Sequence, residues 1–200
     1  MIDSFFKDKR VSITGGAGFI GSAIARRLAN LCEVTIVDSL TPEFGGNLKN
    51  LEEVKSLVKI KIADIRDKTT VEDLVKNTDI IFNMAGQTSH MDSMKEPFID
   101  LEINTHAQLL ILEAMRMYNP KAKIIFASTR QIYGRPNYLP VDENHPISPV
   151  DVNSINKNAG EQYHLLYNDV YGIRSSILRL TNTYGPGMRI KDSRQTFIGI

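Results

Sequence analysis

The strongest constraint in this 200-residue chain is a short glycine-rich turn, Thr14-Gly15-Gly16-Ala17-Gly18-Phe19-Ile20-Gly21. It follows a β-branched run at residues 11–14 and opens a stretch, 19–29, with helical spacing of apolar residues. Two overlapping patterns are present, Gly16-x-Gly18-x-x-Gly21 and Gly15-x-x-Gly18-x-x-Gly21. Glycines here let backbone N–H groups approach a phosphate and let the helix sit close to the strand. The helix N-terminus adds partial positive charge. Strand, turn and helix in this order predict a pyrophosphate cradle, with Gly15, Gly18, Phe19, Ile20 and Gly21 as its contacts.

The next apolar run, 34–37, closes on Asp38, with Ser39 beside it. That is roughly the ~20-residue separation at which a carboxylate accepts from ribose hydroxyls. A carboxylate also repels a 2′-phosphate, so NAD is expected rather than NADP. Further apolar runs at 58–62, 79–83, 123–127 and 173–180 alternate with amphipathic stretches at 69–76, 97–117 and 152–168. Thr69 or Thr70 is the candidate cap of the first of these. Proline- and glycine-rich stretches at 41–50 and 138–150 read as loops. The pattern predicts an α/β fold, Rossmann-like and doubly wound, with a mainly parallel sheet and helices on both faces. Asp64, after the third strand, falls where an adenine edge would lie; an exposed carboxylate or a helix cap accounts for it equally well. Ala85, Gly86 and Gln87 follow the fourth strand, and the small residues there let the chain pass close to a cofactor.

A hydrophobic content of 42% supports a real core, and a formal net charge of +1 gives no ground for a nucleic-acid or acidic-membrane partner. No window has the apolar length of a membrane span, and residues 1–10 do not resemble a signal peptide. The single cysteine, Cys32, excludes an internal disulfide and fits a packing role near the end of the first helix. A cytoplasmic protein without a metal site is expected. Residues 1–187 read as an NAD-binding domain and 188–200 as the start of a C-terminal substrate-binding region that is largely absent, with a helix beginning near Phe197 and Ile198.

Taken together these residues resemble the extended short-chain dehydrogenase/reductases, in particular their nucleotide-sugar epimerases and dehydratases. Thr14 to Gly21 resembles the family's glycine turn, Asp38 its NAD-selecting acid, Asp64 and Ile65 its adenine contact, and Ala85-Gly86-Gln87 its segment beside the nicotinamide ribose. Asn104 resembles a recurring helix asparagine. Ser128-Thr129-Arg130-Gln131-Ile132-Tyr133-Gly134 resembles the segment that carries a catalytic Ser or Thr, which places Thr129 in that role. The stretch 179–186, with Asn182, resembles the lining of the nicotinamide and sugar-nucleotide phosphates. Arg189, with Lys191 and Arg194, forms a small basic cluster that either meets substrate phosphates or is simply solvated. The resemblance implies NAD as cofactor, a nucleotide-diphosphate sugar as substrate and a transient keto-sugar. It also implies a homodimer formed through helices 97–117 and 152–168, for which Leu109, Leu112, Leu165 and Leu166 are compatible apolar positions, although facing the sheet accounts for them equally well.

One departure stands out. The family's catalytic pair is a tyrosine and a lysine four residues apart, on one helix face. Pro149, Lys157, Gly160 and Glu161 are in place, but the tyrosine position is Asn153. A lysine ammonium lowers a phenol's pKa enough for it to take a proton from a sugar hydroxyl. An amide has no such proton, so Asn153 can orient but cannot serve as base. Three readings stay open. Another group replaces the phenol, with Tyr133, Tyr163, Tyr184, His90 and His164 as candidates; or Lys157, or a water held by Asn153 and Thr129, moves the proton; or hydride chemistry is lost and the protein is a non-catalytic NAD binder. In every case Lys157 is expected to hold the nicotinamide ribose.

Overall fold

The computed structural model describes residues 2–189. The expectations for Lys191, Arg194, Phe197 and Ile198 lie outside the described residues. A short helix α1 (Ile2–Phe6) leads into β1 (Arg10–Thr14), α2 (Phe19–Leu28), β2 (Glu33–Asp38) and β3 (Val58–Ile62). Then come α3 (Lys68–Lys76), β4 (Ile80–Asn83), α4 (His90–Lys95), α5 (Pro97–Leu101) and α6 (Ala107–Tyr118). β5 (Lys123–Thr129), α7 (Val152–Tyr171) and β6 (Arg174–Leu180) complete the order.

The six strands form one parallel sheet in the order β3-β2-β1-β4-β5-β6. This is the doubly wound Rossmann-like arrangement. The order reverses between β1 and β4, and the crevice at that switch point is where such sheets take ligands. The two faces carry separate cores. On one, α2 packs Ala25 and Leu28 over Val11, Ile13, Val34 and Ile36. On the other, α3, α6 and α7 bury Val71, Ile111, Leu112, Met115 and Tyr167 against Ile81 and Ile124.

Several local expectations are corrected. Neither Thr69 nor Thr70 caps α3; Asp67 does, its carboxylate accepting from the N–H groups of both, because those two side chains already lie inside the first turn. The loop at 41–50 holds two tight 3-10 turns, Pro42–Phe44 and Leu48–Val54, the second burying Leu51 and Val54 under α2. The helical stretch expected at 97–117 contains a π turn, Glu102–His106, in which the Ala107 N–H reaches back to the Glu102 carbonyl. Helix α4, unanticipated, is capped by Ser89. Cys32 sits just past α2, half-buried, donating to the Leu28 carbonyl, with burial pushing its thiol pKa up.

Candidate active site

The C-terminal ends of β1, β2, β4, β5 and β6 open onto one cleft. Gly15 begins its floor at φ +62°, a conformation that favours glycine, and a Cβ there would lie 2.7 Å from the Ala85 nitrogen. At Gly21 a Cβ would meet the Gly15 carbonyl at 2.3 Å, so helix α2 can approach the turn only through glycine. No side chain caps α2. Its first-turn N–H groups, from residues that line the cleft, are left for an outside acceptor. A cradle a methyl group would fill, below an uncapped helix start, fits a dinucleotide pyrophosphate.

Asp38 is 8% exposed at the end of β2. Its carboxylate accepts from Ala17 N at 3.0 Å and Leu40 N at 2.8 Å, which fixes it against the glycine turn. Ser39, exposed, exchanges a hydroxyl bond with Thr41. Asp64 lines the adjoining wall, but its carboxylate is engaged by the Arg66 guanidinium and backbone N–H, and the Arg66 bonds hold its pKa below the usual range. Ile65 is buried beside it.

Under the turn runs a buried polar chain. Thr14 Oγ1 donates to Asn83 Oδ1 at 2.6 Å, and Asn83 donates to Gln108 Oε1 at 2.5 Å. Gln108 in turn donates to the Ile103 carbonyl inside the π turn. The Ala85 N–H donates to the Thr14 hydroxyl, placing Ala85, Gly86 and Gln87 along the cleft. Asn104 donates to the Gln87 carbonyl, while its own Oδ1 is buried without a partner. A Cβ on Gly86 would sit 2.9 Å from Lys157 Nζ and 3.1 Å from that oxygen, so the missing side chain is what lets the chain pass this close to the two polar groups.

Lys157 projects from α7 to donate to the Ala127 carbonyl at 2.9 Å, over the Phe126 ring. Burial pushes its ammonium pKa down to about 8, against the opposing pull of Asp100 and Glu161. Thr129, at the end of β5, accepts from Gln131 N and starts the turn Arg130–Tyr133. Beneath it the fully buried Glu161 accepts from the Ser128 hydroxyl and from Arg179, with a shortest guanidinium contact of 2.8 Å. Arg179 also donates to the Tyr133 hydroxyl at 2.7 Å. The network ties β5, β6 and α7 together behind Thr129.

Asn153 lines the cleft but is 2% exposed. Its amide nitrogen donates to the Gln87 carbonyl at 2.8 Å, to Gln87 Oε1 at 3.2 Å and to Asp100 Oδ2 at 2.9 Å. Asn156 donates to the other oxygen of Asp100 at 2.8 Å. The position that carries a phenol in the resembled family is here part of a buried amide–carboxylate bridge. Asp100 and Asn156 went unremarked in the sequence. The available signal was a polar residue, Asp100, three and seven places ahead of buried Ile103 and Ala107.

The structure brings together in one cleft Gly15, Gly18, Phe19, Ile20, Gly21, Asp38, Ser39, Asp64, Ile65, Ala85, Gly86, Gln87, Thr129, Asn153, Lys157 and Asn182, whereas His90, Asn104, Tyr133, Tyr163, His164, Tyr184 and Arg189 do not line it. Asn182 lines it from beyond β6 and accepts from Arg130. Arg189 instead donates to the Glu43 carbonyl and is not among the cleft-lining residues. No cluster that could hold a metal occurs among the described residues.

Comparison with known proteins agrees with this geometry. Residues 11–199 match the model of the NAD dependent epimerase/dehydratase family, and the chain belongs to that family. A putative UDP-glucose 4-epimerase from Methanocaldococcus jannaschii is 44% identical over 178 residues, covering 88% of this chain and 56% of that protein. Among solved structures, a UDP-N-acetylglucosamine 4-epimerase from Methanobrevibacter ruminantium in complex with UDP-N-acetylmuramic acid superposes with a TM-score of 0.90. It is 30% identical, with 96% of this chain and 61% of that one covered. A Thermus thermophilus UDP-glucose 4-epimerase in complex with NAD gives 0.82 at 35% identity, covering 95% and 59%. The chain therefore spans somewhat over half the length of these relatives.

Proposed function

We propose that the protein binds NAD in this cleft and acts as an epimerase or dehydratase on a nucleotide-diphosphate sugar, through a transient keto-sugar. The carrying observation is the meeting in one cleft of the glycine turn, Asp38, Thr129 and Lys157. The turn and the α2 N-terminus would hold the pyrophosphate, Asp38 the adenosine ribose and Lys157 the nicotinamide ribose. NAD, when bound, supplies a hydride acceptor. Thr129 would hydrogen-bond the reacting sugar oxygen, and Asn182 would meet the substrate's phosphates. On this reading residues 1–187 form the NAD-binding domain and the region from 188 begins the sugar-nucleotide side, where Arg189 would act. The lone cysteine fits a cytoplasmic location. Among the described residues no helix is long and apolar enough to cross a membrane.

The test is incubation of the NAD-loaded protein with a panel of nucleotide sugars, following product and transient NADH absorbance. Product from at least one sugar is expected. Tight NAD binding with neither signal across the panel would instead establish the second reading, a non-catalytic NAD-binding protein of the same fold. That reading is favoured by one observation: the amide of Asn153 is committed to Gln87 and Asp100.

A further inference from the structure

Resting on the enzymatic reading above, we infer that His90, oriented by Asp151, is the proton acceptor and donor that replaces the missing phenol. Asp151 caps the start of helix α7, two residues before Asn153, and helix α4 begins at His90. The two helix starts meet where His90 Nδ1 lies 2.5 Å from Asp151 Oδ2. The carboxylate has no proton to give, so Nδ1 carries the hydrogen and Nε2 is left as an acceptor. Nε2 faces outward from this pair, and its partner is the side-chain amide of Gln131. Gln131 is a cleft-lining residue two places after Thr129, and its backbone N–H donates to the Thr129 hydroxyl. The imidazole therefore sits one amide behind the cleft wall. Rotation of that amide hands Nε2 to a sugar hydroxyl hydrogen-bonded to Thr129. The backbone at His90 is tied to the start of α7 through Ser93, which donates to the His90 carbonyl and accepts from Asn153 N.

The other candidates are committed elsewhere. Tyr133 is buried, with its hydroxyl occupied by Arg179. His164 is fully buried, stacked on Phe126 at 4.7 Å. Tyr163 packs half-buried against the α3/α6/α7 core, and Tyr184, 65% exposed, does not line the cleft. Lys157 lines the cleft but is fixed on the Ala127 carbonyl. Of the six groups, only His90 is hydrogen-bonded to a carboxylate among the described residues, and the partner of its other ring nitrogen is a cleft-lining side-chain amide.

The step balances within the proposed reaction. The sugar hydroxyl would give its proton to Nε2, and NAD, when bound, would accept the hydrogen on the same carbon as hydride, leaving a carbonyl. The imidazolium, held against Asp151, returns its proton when the carbonyl is re-reduced. A positioned base of this kind contributes about 10²- to 10⁴-fold. His90→Gln should thus lower kcat by on the order of 10²- to 10⁴-fold in the NAD-loaded full chain. NAD affinity by calorimetry should be unchanged and KM should move little. His90→Ala should be partly rescued by added imidazole, which a purely structural role would not allow. Parent turnover with His90→Gln within about threefold of it would overturn the assignment alone, as would loss without imidazole rescue at intact NAD affinity. A parent protein inactive on every sugar would overturn the enzymatic reading, and this assignment with it.

Discussion

Asn153 is the residue at which sequence pattern and local chemistry part company. Read along the chain it is a lost phenol; read in three dimensions it is a donor to two acceptor residues. Asp100 is fully buried, and the two asparagine amides are its only side-chain hydrogen-bond partners among the described residues. Restoring the family's residue should therefore cost stability. In Asn153→Tyr the phenol reaches past the bridge, and Asp100 Oδ2 loses its N–H donor. A buried carboxylate oxygen left bare costs about 3 kcal/mol. Urea unfolding should show a loss of that order, with NAD-dependent turnover not raised by the substitution. Equal stability of the two proteins would mean that the bridge carries no structural weight.

At the level of elements, the path from α5 through the π turn to α6 carries two duties. The wider turn lets Asn104 reach the Gln87 carbonyl and Gln108 reach Asn83. The outer faces are apolar: Phe98 is 77% exposed on α5, and Leu166 is 51% exposed on α7. Of the leucines proposed for a dimer seam, Leu165 and Leu166 are exposed. Leu112 is fully buried in the core and Leu109 packs against it, because both fall on the stripe of α6 that faces the sheet. We propose that α5 and α7 pair with those of a second copy. Sedimentation should show a dimer at micromolar concentration, and Phe98→Glu with Leu166→Glu should weaken association at least about tenfold, since each sets a charge in a desolvated seam. A parent sedimenting as a monomer would remove the proposal.

For the whole molecule, the buried histidine behind β5 sets an acid limit. Burial, with Lys157 nearby, pushes the His164 pKa down to about 3 from an ordinary value of 6.5. Between those values the unfolded chain binds the proton and the folded chain does not, so stability falls as pH drops through this window. From pH 7 to pH 5 the loss is about 2 kcal/mol. Depressed carboxylates act lower: Glu113, held near 2 by Arg116 and the Tyr167 hydroxyl, loses its contribution only as pH falls from about 4.5 toward 2. Denaturant titrations at pH 7 and pH 5 should therefore separate the parent from His164→Phe, which keeps an aromatic ring against Phe126 and removes the pH 5 deficit. An equal pH dependence in both would assign the loss elsewhere.

Local chemistry along the chain was enough to locate the six strands, the glycine turn, Asp38 and the lysine of α7. The strands, the turn and Asp38 depend on short-range periodicity, on turn stereochemistry or on a spacing set by one strand–helix–strand unit, whereas the lysine is marked by the family resemblance of residues 149–161. The same reading missed α4, the π turn and the cap of α3, where short segments take their form from neighbours and caps rather than from period. The pairings across the sheet belong to the tertiary structure alone. It joins residue 100 to 153, residue 90 to 151, and residue 161 to both 128 and 179, because a polar group buried by the fold must find its partner wherever the fold brings one. Thus the sequence by itself determined that a dinucleotide cradle is present. Only the packing of α4, α5 and α7 over the cleft decided that Asn153 serves as a bridge and that a histidine–aspartate pair stands beside it.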